Sequence, residues 1–264
     1  MKTHTTTPLR RSRFLALATA LPLALLPLSL HAQTSIAETR YEISFDESSK
    51  GLQHGSLFSG DEYADLGGGV KFTVDSKGAH DQLMIFDTDE TGTADSDLEN
   101  PFAGGNLQGR RNLGNALIIA ENILDSNKDG IGDSPDDEAN GGTIGVIFGN
   151  TRIQSVGFSL YDTPENKDSD VSIVFKDGKG NSVTWVAGDL IAHGTNVSFA
   201  NHHGNEFKNI SAKQLGLSNI QAIDFNIESG AVDSLHFCAT VPEPSALALL
   251  GLGAVSTLFR RKRG

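Results

Sequence analysis

The chain has 264 residues, with 21 Lys and Arg against 33 Asp and Glu, and a formal net charge of −12. So acidic a chain is repelled by a nucleic-acid duplex, and its single Cys permits neither an internal disulfide nor a cysteine zinc ribbon. The 29 Gly beside 7% aromatic residues suit a loop-rich β protein better than a helical one.

Residues 1–32 read as a signal peptide. Arg10, Arg11 and Arg13 form a basic start, and Phe14 to Leu30 is almost entirely apolar. Leu30-His31-Ala32 before Gln33 has the small-residue character of a cleavage site. Pro22 and Pro27 disfavour a stable helix that would serve as a permanent anchor. Signal peptidase is the implied partner, and the body, residues 33–240, starts near Gln33.

The body is patterned in short segments of period two. In chain order the expected strands are Tyr41–Phe45, Val70–Val74, Gln82–Phe86, Ala116–Ala120, Thr143–Phe148, Ile153–Tyr161, Val171–Phe175, Ser182–Val186, Ile223–Ile227 and Ala231–Phe237. In several of them apolar and polar residues alternate, as in Val70-Lys71-Phe72-Thr73-Val74, which marks half-buried strands. Asp177-Gly178-Lys179-Gly180-Asn181 between two of them is a hairpin turn. Asn115 to Leu124 also fits a helix through Leu117, Ala120, Glu121 and Leu124, but the β-branched pair Ile118-Ile119 favours a strand. Ser211 to Leu217 has room for one helical turn. Regularly spaced strands and turns predict an all-β fold, a single antiparallel β-sandwich.

Two acidic groups are candidate metal sites. The first runs from Asp125 to Asp136. Asp125, Asn127, Asp129, Asp133 and Asp136 place oxygen side chains at the spacing by which a calcium loop wraps one ion. Ile131 offers its carbonyl and Gly130 the turn residue. An EF-hand has Glu where Asp136 stands and an apolar residue where Gly132 stands. The wording Asp-Gly-Ile-Gly-Asp instead resembles the aspartate-rich calcium loops of thrombospondin type 3 repeats. The second group is Asp87, Asp95, Asp97, Glu121 and Asp137. If Gln82–Phe86 and Ala116–Ala120 are neighbours, Asp87 and Glu121 lie just past strand ends and the Asp95/Asp97 loop joins the strands. Carboxylates gathered there repel one another unless a cation sits among them. The competing reading of both groups is a set of solvated loop acids. Asp233 either supports the second group or caps a turn.

Other chemistry is weakly marked. His202 and His203 would point to opposite faces of a strand, and Asn201 to Glu206 reads as a polar surface loop. No His-Glu-x-x-His and no Gly-x-Ser-x-Gly pattern occurs. Trp185 and Tyr161 have the chemistry to stack on a sugar, but the one Trp fits a core strand better. Cys238 is expected to be buried and inert.

Residues 241–264 form a tail of three parts: Pro242-Glu243-Pro244, the uncharged stretch Ser245 to Phe259, and Arg260-Arg261-Lys262-Arg263. The stretch is shorter than the roughly 20 residues that span a bilayer upright, and its basic end belongs on the cytoplasmic side. The tail resembles the PEP-CTERM sorting signal of Gram-negative bacteria. That resemblance implies exosortase as a partner, export across the inner membrane, transient anchoring, and then secretion or display at the cell surface, often within exopolysaccharide. The membrane is then met only through the terminal segments, a signal helix and a hydrophobic sorting helix.

The body also resembles a secreted jelly-roll-like β-sandwich module. The resemblance runs through Gly69-Val70-Lys71-Phe72, Phe86-Asp87-Thr88, Asp95-Ser96-Asp97-Leu98, Gly114 to Glu121, Asp136 to Gly142 and Ser229 to Asp233. It implies a structural or binding role without catalysis. The expected function is a calcium-stabilised, exosortase-sorted surface or exopolysaccharide-associated protein; a carbohydrate-binding module and, less so, a secreted hydrolase are the alternatives. Eight of the 21 basic residues and one of the 33 acidic ones fall in residues 1–32 and 243–264, which leaves the rest of the chain at −19.

Overall fold

The computed structural model describes residues 37–149, 152–163 and 171–241. The expected signal segment and the tail from Pro242 onward, with both expected terminal helices, lie outside the described residues. Twelve strands follow in order: β1 (Ala37–Ile43), β2 (Leu57–Phe58), β3 (Val70–Ser76), β4 (Leu83–Asp87), β5 (Asn115–Ile119), β6 (Gly142–Phe148), β7 (Arg152–Tyr161), β8 (Ser172–Lys176), β9 (Ser182–Val186), β10 (Gly204–Ser211), β11 (Ala222–Ile227) and β12 (Ala231–Val241). The helix α1 (Ala187–His193) follows β9 directly.

The strands form two antiparallel sheets. The larger has the order β10-β7-β12-β5-β4-β2, and the smaller β3-β6-β11-β8-β9. From β5 to β8 the chain changes sheet at every step, so the two layers are laced together along the chain. β12 is long enough to serve two partners on one edge: Ala231 and Val232 pair with β5, and Leu235 to Val241 pair with β1. Its other edge follows β7, with a register shift between Asp233 and His236.

Strand periodicity explains the core between the sheets. In β3, Val70 and Phe72 are buried and Lys71 and Thr73 exposed. The two layers meet through aromatic pairs, Phe158 of β7 against Phe225 of β11 at 4.9 Å and Phe148 of β6 against Phe237 of β12 at 5.0 Å. β5 departs from alternation because it is buried on both faces: Leu117 and Ile119 join the main core, and Ala116 and Ile118 a second one. That second core forms where the connection from β4 to β5 folds over the large sheet. Leu98, Phe102 and Leu107 of this connection pack with Met84, Phe86, Tyr161 and Ala231. Double burial is why the sequence of β5 also fits a helix.

All the expected strands are present, and the hairpin β8–β9 turns at Asp177 to Asn181, where Asp177 N–H bonds the Asn181 carbonyl at 3.0 Å. Ser211 and Gln214 cap the expected turn reciprocally, with Ser211 N–H on Gln214 Oε1 at 2.9 Å and Gln214 N–H on Ser211 Oγ at 3.2 Å. Several elements depart from expectation, among them the two-residue strand β2, which pairs with β4 where no strand is expected. Residues from Gly204 onward are strand β10 rather than a surface loop, because Phe207 and Ile210 reach the core. Ala187–His193 is helical, burying Ala187 and Leu190.

Candidate metal centre

One end of the large sheet collects carboxylates from four places in the chain. The end of β5 extends into a bridge between Ala120 and Asp137. There Glu121 N–H donates to the Asp136 carbonyl at 3.0 Å and Glu138 N–H to the Ile119 carbonyl at 2.8 Å. These bonds hold Asp136 and Asp137 against the strand end. The β4–β5 connection, pinned to the sheet by its own apolar residues, brings Asp95 to the same place. Asp162 follows β7 with a φ of 46°, and its carboxylate accepts the His202 N–H. The turn before β12 closes the group: Gly230 N–H donates to Asp137, and Ser229 Oγ lies 3.4 Å from Asp162 Oδ2.

Carboxylate oxygens of Asp95, Asp136 and Asp137 all lie within 4.8 Å of one another. Asp95 is 5% exposed, Asp137 8% and Asp162 2%. Asp95 Oδ2 is buried without a hydrogen-bond partner. Burial first, then Asp97 and Asp137 beside it, raise the Asp95 carboxyl well above the ordinary range. Burial and then the Glu121 charge push Asp136 up to about 6. Burial pushes Asp162 up to about 6 as well, against the opposing effect of the His202 N–H. Among the described residues no side-chain nitrogen of Lys, Arg or His lies within 4.0 Å of any carboxylate of Asp95, Asp97, Asp136, Asp137 or Asp162. The group offers oxygen ligands alone, which suits a hard divalent cation.

The expected sites are redistributed. Asp87 pairs with Asn115 at the start of β5, whereas Glu121 follows its end. An antiparallel neighbour places its last residue beside the first of its partner, so Asp87 lies five to six residues along β5, roughly 17–20 Å, from the group. It neighbours His54 instead, whose Nδ1 accepts the Asp87 N–H at 3.0 Å. Asp95, Asp97, Glu121 and Asp137 do come together, and Asp136 joins them rather than the 125–133 loop. Asp162 was not anticipated; like Glu121 it follows a strand end, and that shared position was the available signal.

The loop itself is a chain of side-chain caps on an exposed turn. Asp125 accepts the N–H groups of Lys128 at 2.7 Å and Gly130 at 2.8 Å, and Asn127 Oδ1 accepts that of Asp129 at 3.0 Å. Asp129 Oδ1 accepts the Ile131 N–H at 2.9 Å, and Asp133 Oδ2 the Ser126 hydroxyl at 2.6 Å. Ile131 bridges to Ser56, and Gly132 N–H bonds the Gly55 carbonyl at 2.7 Å, which docks the turn on the body.

The remaining candidates have structural surroundings. Tyr161 is 1% exposed and donates to Asp233 Oδ2 at 2.8 Å, so it presents no ring to a sugar. Asp233 is buried within β12 rather than at a turn. Trp185 is half-buried against Phe175 and His193, at 5.5 and 5.0 Å. His203 Nδ1 lies 2.9 Å from Ser198 Oγ, but that hydroxyl also accepts the Gly105 N–H at 3.1 Å, and the ring packs on Gly104. His202 turns away to the Glu99 carbonyl at 2.9 Å. Cys238 is half-buried and lines a groove of about 450 Å³ on the large sheet, with Arg40, Glu42, Glu206, Lys208 and His236.

No helix among the described residues is long and apolar enough to cross a membrane. Residues 240–263 match the PEP-CTERM protein-sorting motif. The motif marks the chain as exosortase-processed and exported to the cell surface or beyond. Neither the curated proteins nor the solved structures contain a match to the chain.

Proposed function

We propose that the exported body is a non-catalytic surface or exopolysaccharide-associated protein, a β-sandwich stabilised by calcium. The observation that carries this reading is the sorting motif at residues 240–263 behind an acidic all-β body. The polar groups that resemble catalytic pairs support it. Asp95 and Asp137 are too buried to face a sugar ring, and the Ser198–His203 pair is spent on backbone and packing contacts. Outside the cell calcium is abundant enough to fill sites with dissociation constants of order 10⁻⁴–10⁻³ M. Signal peptidase and exosortase are the processing partners of this reading, with a Gram-negative envelope as its setting. The test is co-sedimentation of the exported protein with purified exopolysaccharide, with and without calcium. Association is expected; protein left wholly in the supernatant under both conditions contradicts the matrix role.

A carbohydrate-binding module is the second reading, favoured by the groove across β1, β12, β7 and β10. Its lining of Arg40, Glu42, Glu206, Lys208 and His236 offers donors and acceptors to sugar hydroxyls. A glycan array separates the two: a discrete glycan signal that Glu206→Ala removes supports the module, and a blank array supports the scaffold.

A further inference from the structure

We propose that Asp95, Asp136 and Asp137 form a divalent-cation site, with calcium its ion, that joins the β4–β5 connection to the end of β5. The assignment deepens the calcium-stabilised reading and rests on it only for the identity of the ion.

Two independent observations converge on this place. The first is the spacing: the three carboxylate oxygens fall within 4.8 Å of one another. Calcium binds oxygen at 2.3–2.6 Å, so oxygens that share one ion stand no more than about 5.2 Å apart, a limit the three meet. Magnesium, at 2.0–2.1 Å, sets a limit of about 4.2 Å and asks for stricter geometry. The second is Asp95 Oδ2, which is buried, has no hydrogen-bond partner, and belongs to the side chain that faces Asp136 and Asp137. A buried carboxylate oxygen without a donor is costly, and a cation is the partner its neighbours are arranged to share. No basic side chain of the described residues fills that role.

The ligands come from separate parts of the chain. Asp95 stands on the cover of the second core, and Asp136 and Asp137 on the segment bridged to the end of β5. Through the Gly230 N–H, Asp137 also holds the turn that starts β12. Asp97 and Asp162 add negative charge around the ion. A cation here does what a disulfide does in other exported domains, for which a chain with one Cys has no means. The 125–133 loop, whose carboxylates already cap its own backbone, is the lesser site.

The test is calorimetric titration of calcium chloride into the full exported chain, together with thermal melts in calcium and in chelator. At a hundredfold excess over its dissociation constant, calcium is expected to raise Tm by about 5–10 °C, and magnesium at the same concentration by less. Asp95→Asn is expected to weaken calcium at least tenfold while raising Tm in chelator, because it relieves repulsion. A merely damaged fold would lower Tm instead. Asp137→Asn is the second variant should Asp95→Asn fail to accumulate, and it is expected to weaken calcium as much. Asp125→Asn with Asp129→Asn is expected to leave the affinity within twofold. Wild-type protein that binds no calcium overturns the site and leaves the sorted-scaffold reading standing. Calcium lost in the loop variant but kept in Asp95→Asn overturns it in favour of the loop. Calcium binding that persists while exopolysaccharide association fails separates the ion from the matrix role.

Discussion

Asp233 shows how one residue departs from what its strand position suggests. It lies within β12, 1% exposed, where Tyr161 and Ser234 donate to Oδ2 at 2.8 and 2.9 Å and Oδ1 has no partner. Burial pushes its carboxyl up to about 8, against the opposing effect of those donors. The folded state therefore keeps a proton that the unfolded chain releases near 3.8. Its stabilising contribution is full below about pH 4, declines as pH rises toward 8, and is flat above that. In chelator, the fall in Tm between pH 5 and pH 8 should be smaller in Asp233→Asn than in wild type, since the amide keeps the acceptor for Tyr161 and cannot ionise. Equal falls in scanning calorimetry across that range contradict the assignment. The alternation around Asp233 predicts its strand well, but nothing local shows that β7 pairs beside it and that Tyr161 closes over its carboxylate. The same holds for Asp162, which is acidic and next to a strand end in the sequence, yet joins the carboxylate group only because β7 and β5 finish together.

Elements owe their ends to a few turn residues. Gly180 in the β8–β9 hairpin has φ of 87° and open space where a Cβ would stand. Gly230, before β12, has φ of 103°, and a Cβ there would meet the Tyr161 carbonyl oxygen at 2.2 Å. Gly180→Ala therefore meets only the left-handed backbone cost, about 1–2 kcal/mol. Gly230→Ala also drives backbone into backbone beside Asp137 and should cost more, about 3 kcal/mol or beyond by urea unfolding. Matching losses in the two variants would contradict this ordering. Strand existence is legible because period-two burial holds wherever one face is covered, as in β3 and β11. β10 is less legible: Gly204-Asn205-Glu206 is polar at its start, and its register breaks between Phe207 and Ile210, which disrupts the period.

At the scale of the whole molecule, the sandwich depends on aromatic contacts that bridge its sheets. Phe225 of β11 meets Phe158 of β7 edge to face at 4.9 Å, and both are fully buried. Phe225→Ala should cost about 3–5 kcal/mol in equilibrium unfolding. A loss below about 1 kcal/mol would mean that the sheets do not meet there. Destination is carried separately from this core, by the motif at residues 240–263. Glu243→Ala should leave full-length protein in the membrane fraction while the body stays folded, read by fractionation and limited proteolysis. Normal processing of the variant contradicts recognition through Glu243.

The sorting address and ten of the strands were legible in the sequence alone, because both signals are local, whereas β2, β10 and α1 were not. A sorting signal is read as a contiguous tail, and a strand is read from alternation over a few residues. The abundance of acid in the loops was equally plain. Which acids meet was decided by the tertiary structure. Antiparallel pairing of β4 with β5 sends Asp87 to one end of the sheet and leaves Glu121 at the other. The β4–β5 connection then folds over the outer face and returns Asp95 to Asp136 and Asp137. Register and loop path are long-range properties, set by which surfaces bury each other, so six carboxylates from four separate stretches of the chain become one group only in the folded molecule.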